Sequence, residues 1–273
     1  MSSAENAAAA ERVRLASVAD AVAGRADRDL GLVALGGMHM HNNPMELVRE
    51  LVRQRRPIRR LLTSPSAGIG ADLLLGAGLV GEIATSYVGF EHLGLAPWFR
   101  RRVESGEVRV LEMDEASITH GLYAGAGGLP FIPLPPGLDL ADVCRVNSES
   151  YRMVDDPFTG ERRLAVRAIR PDLALIHATE AEERGNAAFK GCAFTDRLMA
   201  LASRRVVLQV ERLVPAGRVS GYLPGGTLPG FLVDTVVVAP GGCLPTAAHG
   251  EYGYDQAALA EYLALAWRQK VPA

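Results

Sequence analysis

The sequence predicts an α/β fold: an open, mostly parallel twisted sheet flanked by helices, with a proline-rich loop and a β-hairpin insertion. Short apolar runs alternate with amphipathic segments along most of the 273 residues, and this order is typical of right-handed βαβ units. Apolar residues make up 48% of the chain and charged residues 22%, which suffices for a buried core. Only residues 128–168 depart clearly from the alternation.

The N-terminal segment, residues 1–28, is predicted to be helical, because Val13, Leu15, Val18 and Val22 recur at helical spacing. The alternation of strands and helices begins after it. The predicted strands are Leu30–Leu35, Ile58–Thr63, Ile83–Val88 and Val108–Glu112. The predicted helices are Met45–Gln54, Ala71–Gly78, Ala96–Ser105 and Glu115–Ala126, the first of them opened by a proline that needs no N–H there.

The insertion begins with Gly128–Leu138, which reads GLPFIPLPPGL and predicts an ordered loop. Further on, the turn sequence DDPFTG between Tyr151–Val154 and Arg163–Val166 predicts the β-hairpin. The α/β pattern then resumes with predicted strands at Leu173–Ala178, Val206–Val210 and Val233–Val238 and predicted helices at Asp196–Ser203 and Asp255–Trp267. We expect one domain over residues 1–273, with residues 128–168 inserted in it.

Composition narrows the classes of partner. The formal net charge is −2 and the pI is near 6.3, so neither nucleic acid nor a membrane is the expected partner. Three cysteines lie far apart, which indicates a reducing compartment. No apolar run reaches the roughly 20 residues that span a bilayer, and no signal peptide is evident. We therefore expect a cytoplasmic protein.

The stretch Gly36–Pro44, GGMHMHNNP, follows the first apolar strand and carries two histidines one residue apart. An HxH pair at a strand end can place both imidazoles on one side, as in metal-dependent hydrolase barrels. The further ligands of such a site are missing, although His177 ends another strand, so no metal is expected. The alternatives are a purely structural loop, or a backbone cradle whose N–H groups bind an anion before the following helix.

A second glycine-rich stretch, Ser66–Gly78, also follows a strand and opens a helix. Its sequence matches neither the dinucleotide-binding pattern GxGxxG nor the phosphate-binding loop that ends in GK[ST], so binding of either nucleotide class is disfavoured. Gly68 and Gly70 are candidates for close approach to a ligand. The alternative is a strand-to-helix turn whose small residues allow close packing.

The segments quoted so far occur in a characteristic order. The GG loop precedes PMELVRELVRQ, then GIGADLLLGAGLV, then SYVGFEHLGLAPWFRRRVESGEVRVLEMDE, and later DPFTGERRLAVRAIRPDLALIHA and VDTVVVAPGG. This order resembles the α subunit of family I CoA-transferases of the glutaconate CoA-transferase type. It is also similar to the α subunit of the related hydrolase that opens the last steroid ring of a CoA thioester. The resemblance extends from about Gly31 to Tyr262.

The resemblance implies a CoA-transferase-like fold, a coenzyme A thioester as substrate, no permanently bound cofactor, and a partner β subunit. In the family, the thioester is attacked by a glutamate of the β subunit, which commonly stands in a Glu-Asn-Gly context. This chain has no such triplet, so the nucleophile is expected on the partner. The loop Met38–Asn43 departs from the small residues usual in relatives.

Besides Gly68 and Gly70, the following residues are therefore candidates for the site. Gly36, Gly37 and Met38 would contribute backbone, and His39, His41 and Asn42 would contribute hydrogen bonds to the acyl or carboxylate part of the substrate. Glu115 begins a helix at the crevice of the predicted sheet, where relatives have a glutamate, and is the candidate catalytic acid or base. Its alternative role is an ordinary helix N-terminal carboxylate. Glu91 ends another strand, and Asn186 stands in the turn RGNA, where it is a candidate for binding or simply a turn residue.

We expect the α subunit of a two-subunit CoA-transferase that binds the developing oxyanion and the carboxylate. One alternative is the α subunit of a CoA-thioester hydrolase or ring-opening enzyme that uses Glu115. Another is a non-catalytic ligand-binding sensor, because the fold is similar to that of sugar-phosphate isomerase and sensor domains.

Overall fold

A computed structural model describes residues 13–23, 29–191, 193–219 and 226–269. Eight parallel strands form the main sheet in the order β1-β15-β13-β11-β2-β3-β5-β7, which confirms the predicted open parallel sheet. Their bounds are β1 Arg14–Leu15, β2 Leu32–Leu35, β3 Ile58–Thr63, β5 Val80–Thr85, β7 Arg109–Glu112, β11 Leu173–Glu182, β13 Val206–Val214 and β15 Thr235–Val238. Two short antiparallel strands, β12 Ala187–Ala188 and β14 Thr227–Leu228, extend it beside β11.

The sheet is buried because helices cover both of its faces. All ten residues of β11 are buried, as expected for a central strand of a covered parallel sheet. The helices are α1 Val18–Val22, α2 Met45–Arg53, α3 Ile69–Gly76, α4 Pro97–Glu104, α5 Glu115–Ala126, α6 Val143–Val146, α7 Asp196–Ala202 and α8 Gln256–Arg268. The core on one face takes side chains from α2, α3 and α8, and the core on the other takes them from α5 and α7. Among the described residues, no helix is both long and apolar enough to cross a membrane.

The insertion forms a separate antiparallel sheet, with β8 Phe131–Pro133, β9 Tyr151–Asp155 and β10 Arg162–Arg167 in the order β8-β10-β9. The predicted hairpin is confirmed, since β9 pairs with β10 across the DDPFTG turn. The proline-rich segment was predicted as loop throughout, and the prediction is wrong for Phe131–Pro133, which form a strand. Ile132 and its neighbours pair with β10. Prolines are tolerated there because β8 is an edge strand, which forms ladder hydrogen bonds on one side only.

Within the described residues 13–23, the predicted N-terminal helix is confirmed only at Val18–Val22, and residues 1–12 and 24–28 lie outside the described residues. Arg14 and Leu15 pair with β15 as an edge strand, and the helix is limited to Val18–Val22, with Ser17 as its N-cap. A free sheet edge offered hydrogen bonds that helical spacing in the sequence could not reveal.

The predicted strand Ile83–Val88 is divided in two. After β5 ends at Thr85, the chain forms β6 Tyr87–Val88, which pairs in parallel with β4 Ser66–Ala67 outside the main sheet. The Thr85 hydroxyl accepts a hydrogen bond from the hydroxyl of Thr63 and donates one to the carbonyl of Tyr87. This small pairing brings the segment after β6 beside the loop that follows β2.

Candidate active site at the carboxyl ends of the strands

Backbone hydrogen bonds fix the conformation of the loop after β2, residues 36–44. Met38 and His41 exchange backbone N–H···O bonds of 2.9 and 2.8 Å, and His39 N–H donates to the carbonyl of Ser66 at 2.8 Å. Asn42 N–H donates to the carbonyl of Ala247, again at 2.8 Å. The loop is therefore held by its own turn and by two segments distant in sequence.

A buried carboxylate fixes the second glycine of the loop. The N–H of Gly37 donates to both carboxylate oxygens of Asp196 on α7, at 3.0 and 3.2 Å. Burial raises the pKa of this carboxyl to about 7, and the Gly37 N–H opposes that shift. A Cβ on Gly36 would lie only 2.8 Å from an Asp196 oxygen, so glycine is required at that position for close contact.

These bonds correct one expectation. The predicted cradle needed free N–H groups in the loop and at the start of α2. The N–H groups of Gly36, Gly37, Met38, His39, His41 and Asn42 all donate to protein acceptors. At the start of α2, Glu46 N–H donates to Gly242 and Leu47 N–H to the side chain of Gln209. An anion that binds here must therefore contact groups other than these N–H donors, foremost the side chains.

The second glycine-rich stretch packs against the back of this loop. A Cβ on Gly68 would collide with the backbone carbonyl of His39, and one on Gly70 would lie 3.1 Å from the Asn43 amide oxygen. Asn43 in turn donates from its side chain to the carbonyls of His39 and His41. Close packing accounts for both glycines, and their contact with substrate stays a prediction.

Two predicted site residues from separate loops meet here. The Nδ1 atom of His39 lies 3.5 Å from the Oε1 atom of Glu91, which belongs to the short turn after β6. The side chains are 25% and 41% exposed, so both reach solvent. The ring of Tyr87 packs on His39, with centroids 5.7 Å apart. The sequence nominated His39 and Glu91 separately, and only the pairing of β4 with β6 brings them together.

A second group of rings continues this surface. Tyr254, which sequence reasoning missed, lies 6.5 Å from the ring of His41 and 6.4 Å from that of His92, measured between centroids. His41 and His92 are exposed, whereas the Asn42 side chain is buried. Tyr254 follows the segment whose Ala247 pairs with the GG loop, so the sequence carried no local signal for its position.

The backbone of this surface is unusual. His39, Asn42 and Glu91 all have left-handed backbones, with φ of 48°, 53° and 50°. Such conformations cost on the order of 1 to 3 kcal/mol each in side-chain-bearing residues and concentrate at functional sites. Asparagine and histidine are enriched in this conformation among residues other than glycine, whereas glutamate adopts it less often. The clustering of three such residues supports the surface as the candidate site.

A buried polar cluster lies beneath the loop. His177 Nδ1 is 3.0 Å from Gln209 Nε2, and His177 Nε2 is 3.4 Å from Glu211 Oε1. The Tyr252 hydroxyl donates to Glu211 at 2.6 Å and accepts from the N–H of Cys243 at 3.0 Å. Burial lowers the pKa of His177 to about 3, so this imidazole is neutral.

The same cluster contains a possible set of metal ligands, because one ligand atom each of His177, Glu211 and Cys243 lie within 4.8 Å of one another. The hydrogen bonds favour another role. With Gln209 Oε1 accepting from Leu47 N–H at 3.3 Å, its amide nitrogen faces His177 Nδ1 as donor. The ring proton is then on Nε2 and faces Glu211, which leaves no lone pair there for a metal. The cluster therefore supports α2 and the loop from below.

Glu115 lies at the start of α5 with an exposed side chain. The helix is capped by Asp114, whose carboxylate accepts from Ser117 N–H at 2.9 Å and from the hydroxyl of Tyr151 at 3.2 Å. Glu115 is thus not needed as the cap and is accessible from solvent. Three strand spacings separate β7 from β2, about 14 Å at the usual distance between strands.

Asn186 occupies the turn between β11 and β12. Its amide nitrogen donates to Glu182 at 2.9 Å, and its amide oxygen accepts from Gly230 N–H at 2.8 Å. These bonds give Asn186 a structural role in the turn, which was the alternative to substrate binding in the sequence analysis. The side chain also lines a cavity with Arg184 and Val214, apart from the loop after β2, and its binding role stays a prediction.

Comparison with known proteins identifies the family. A family model described as coenzyme A transferase matches residues 17–239. The chain is 34% identical over 236 residues to the cholesterol ring-cleaving hydrolase IpdA subunit of Rhodococcus jostii, covering 82% of this chain and 78% of that protein. It is 33% identical over 229 residues to a 3-oxoadipate CoA-transferase subunit of Pseudomonas knackmussii, with the same coverage. It covers 52% of a longer Archaeoglobus fulgidus relative, at 33% identity over 85% of this chain.

Solved structures of similar fold point to the same family. The glutaconate coenzyme A-transferase of Acidaminococcus fermentans superposes with a TM-score of 0.82 at 27% identity, covering 93% of this chain and 84% of that one. The decarboxylase AibA/AibB superposes with a TM-score of 0.84 at 36% identity and 94% coverage of both chains. The predicted fold and the predicted α-subunit resemblance are both confirmed. The chain belongs to the coenzyme A transferase family and corresponds to its α-type subunit.

Proposed function

We propose that this chain is the α subunit of a two-subunit CoA-transferase that moves CoA between an acyl-CoA thioester and a carboxylic acid. The observation that carries the proposal is the family match over residues 17–239, together with 33% identity to a 3-oxoadipate CoA-transferase subunit. The family match also favours an enzyme subunit over the sensor hypothesis. A cytoplasmic location remains a prediction.

In this proposal the nucleophilic glutamate comes from a β subunit, since this chain has no Glu-Asn-Gly triplet. The chain contributes a surface at the carboxyl ends of β2 and β6, where ligands bind in open α/β sheets. Of the two histidines of the loop after β2, His41 is better placed to donate to a substrate carboxylate, because it is exposed and forms no ion pair with another of the described residues. His39 has a carboxylate neighbour of its own, Glu91.

Glu115 is proposed as the carboxylate of this chain that reaches the reacting groups. Its support is position: it is exposed, it follows a strand of the main sheet, and Asp114 rather than Glu115 caps the helix. Gly36, Gly37 and Met38 are proposed to shape the loop, whereas Gly68 and Gly70 allow it to pack closely. No permanently bound cofactor is part of the proposal.

The test is reconstitution. The chain is co-expressed with the adjacent β-type reading frame, and the complex is incubated with a panel of acyl-CoA donors and acceptor acids while transfer is followed by mass spectrometry. Borohydride or hydroxylamine added with acyl-CoA should modify one glutamate of the partner. A complex that never forms new acyl-CoA and yields no modified glutamate with any donor refutes the transferase.

One alternative has a specific observation in its favour. Identity to the ring-cleaving hydrolase subunit of Rhodococcus jostii is 34%, slightly above that to the transferase subunit. In that case the pair would cleave a cyclic or β-keto acyl-CoA with Glu115 as the base. Free CoA or a ring-opened acyl-CoA, formed without any acceptor acid and lost in Glu115→Gln, would favour this alternative.

A further inference from the structure

We propose that His39 and Glu91 form a carboxylate–imidazole pair that activates water, so that the site also hydrolyses acyl-CoA when no acceptor acid is bound. The proposal rests on the proposed function only for the binding of an acyl-CoA thioester at this surface. In this proposal His39, and not Glu115, activates the water.

The position of Glu91 favours one of the two nitrogens of His39 as the site of the proton. Nδ1 is buried and has no hydrogen bond to another described residue, and its acidic neighbour is Glu91 Oε1 at 3.5 Å. An ionised carboxylate only accepts, so it favours the tautomer with the proton on Nδ1. The lone pair is then on Nε2, the atom with which a neutral imidazole accepts a proton.

Exposure gives this lone pair access to water. The His39 side chain is 25% exposed, although Nδ1 is buried, so the exposed part lies elsewhere on the side chain, where Nε2 is the remaining polar atom. Tyr87, whose ring centroid lies 5.7 Å from that of His39, is the other titratable group packed against the imidazole among the described residues. Glu91 is the positioning residue, because it orients the imidazole and stabilises the imidazolium that forms.

The backbone is the second, independent observation. His39 and Glu91 both have left-handed backbones, at φ of 48° and 50°, on loops that meet only through the pairing of β4 with β6. Few side-chain-bearing residues adopt that conformation, glutamate less readily than histidine, and the surrounding bonds hold both in place. His39 N–H is bonded to Ser66, and Asn43 is bonded to the carbonyl of His39. The fold thus holds Nδ1 of His39 within 3.5 Å of the Glu91 carboxylate.

The proposed step is balanced with water as the only co-reactant. Nε2 accepts a proton from water while the water oxygen forms a bond to the thioester carbonyl carbon. The C–S bond then breaks, CoA leaves as thiolate, and the thiolate takes the proton from the imidazolium. The products are the free acid and CoA. Transfer to a carboxylate needs no such base, since the acceptor arrives already ionised.

The experiment measures two rates in the complex with its co-expressed β subunit. Thiol release from acetyl-CoA, succinyl-CoA and glutaryl-CoA without acceptor reports hydrolysis, and acyl-CoA formed with an added acid reports transfer. We expect acceptor-independent hydrolysis in the unmodified complex, lowered by about 100-fold in His39→Asn, the typical effect of losing a general base. Asparagine is chosen because it tolerates the left-handed backbone.

Glu91→Gln should lower hydrolysis by about 10-fold, as expected for loss of an orienting carboxylate, and Glu91→Asp should restore part of it. His120→Gln on α5 and Glu104→Gln at the end of α4 are matched controls outside the site, and both should hydrolyse at the original rate. Thermal unfolding of each variant identifies any that fail to fold.

Two results overturn the proposal. One is transfer without any acceptor-independent hydrolysis, which leaves the proposed function intact. The other is hydrolysis that persists in folded His39→Asn, and loss of that hydrolysis in Glu115→Gln would then assign the base to Glu115. Hydrolysis that needs His39 but comes without transfer to any acid supports the proposal and refutes the transferase.

Discussion

The loop after β2 and the start of α5 both follow a parallel strand and were both predicted to belong to the site, yet they are built differently. The loop has left-handed residues and is bonded to Ser66, Asp196 and Ala247, all distant from it in sequence. The start of α5 is an ordinary helix N-terminus capped by Asp114, its own neighbour. The loop therefore depends on the whole fold, and the position of Glu115 depends on adjacent residues.

The largest effect is expected in the loop. Gly37 has a φ of 87°, and an added Cβ would lie 2.8 Å from the carbonyl oxygen of Asn42. Gly37→Ala should therefore lower the free energy of unfolding by about 3 kcal/mol, combining backbone strain with overpacking. Gly128, at φ 72° with nothing near its missing Cβ, is the control: Gly128→Ala should cost about 1 kcal/mol. If urea unfolding showed the same loss of unfolding free energy for Gly37→Ala and Gly128→Ala, the tight contacts of the loop would not contribute to stability.

The next effect is on activity at the start of α5. Glu115→Gln should lower kcat/KM of the reconstituted complex by about 100-fold, the size expected for loss of an acid–base group. Stability should stay within about 0.5 kcal/mol, as for an exposed side chain that makes no cap. Glu112→Gln, at the exposed end of β7, is the matched control with full activity. Full activity in Glu115→Gln would end the role of this residue in the chemistry.

The third effect is a pH dependence from Asp196, whose folded pKa is about 7 against an ordinary 3.8. Because the pKa is raised on folding, the folded state binds more protons between pH 4 and 7. The contribution of Asp196 to the free energy of unfolding is therefore complete at about pH 4 and is lost as the pH rises to 7. Between pH 5 and 6 the expected loss is about 1.4 kcal/mol.

Asp196→Asn should lack this slope in thermal unfolding measured at several pH values. Asp72, whose pKa burial raises to about 6, contributes in the same direction and is unchanged in that variant. A wild-type and an Asp196→Asn curve that stay parallel from pH 4 to 7 would contradict the prediction.

The smallest effect is at the helix cap. Asp114→Ala should cost about 1 kcal/mol, because Ser117 N–H loses its acceptor. Asp114→Ser, which can also accept at an N-cap, should recover most of this. If Asp114→Ala lowered stability as much as Gly37→Ala, the distinction between a locally built and a globally built region would fail.

The success of sequence reasoning follows the same distinction. Helices with a clear apolar face, such as α2 and α8, were predicted almost to the residue, and so were β3 and β7, because spacing and flanking signals are local. Arg14–Leu15 was misassigned because its strand conformation depends on β15, more than 200 residues away. The three-stranded insertion was predicted only as far as its hairpin, whose turn is local.

For the site, the sequence nominated His39, His41, Glu91 and Glu115 from their positions after strands. It could not indicate that His39 faces Glu91, that Tyr254 lies between two histidines, or that Asp196 holds Gly37. The expectation of free backbone donors was wrong for Gly36 and Gly37 for the same reason, since their N–H groups donate to Leu175 on β11 and to Asp196 on α7.

By itself, the sequence determined the order of strands and helices, the parallel sheet, the segments that end at its carboxyl edge and the family resemblance. These follow from the periodicity of apolar residues and from turn residues, which act within a few positions. The tertiary structure alone decided which backbone groups of the loop are bonded and which side chains are paired. Those outcomes depend on groups far apart in the sequence, which meet only when the whole sheet is assembled.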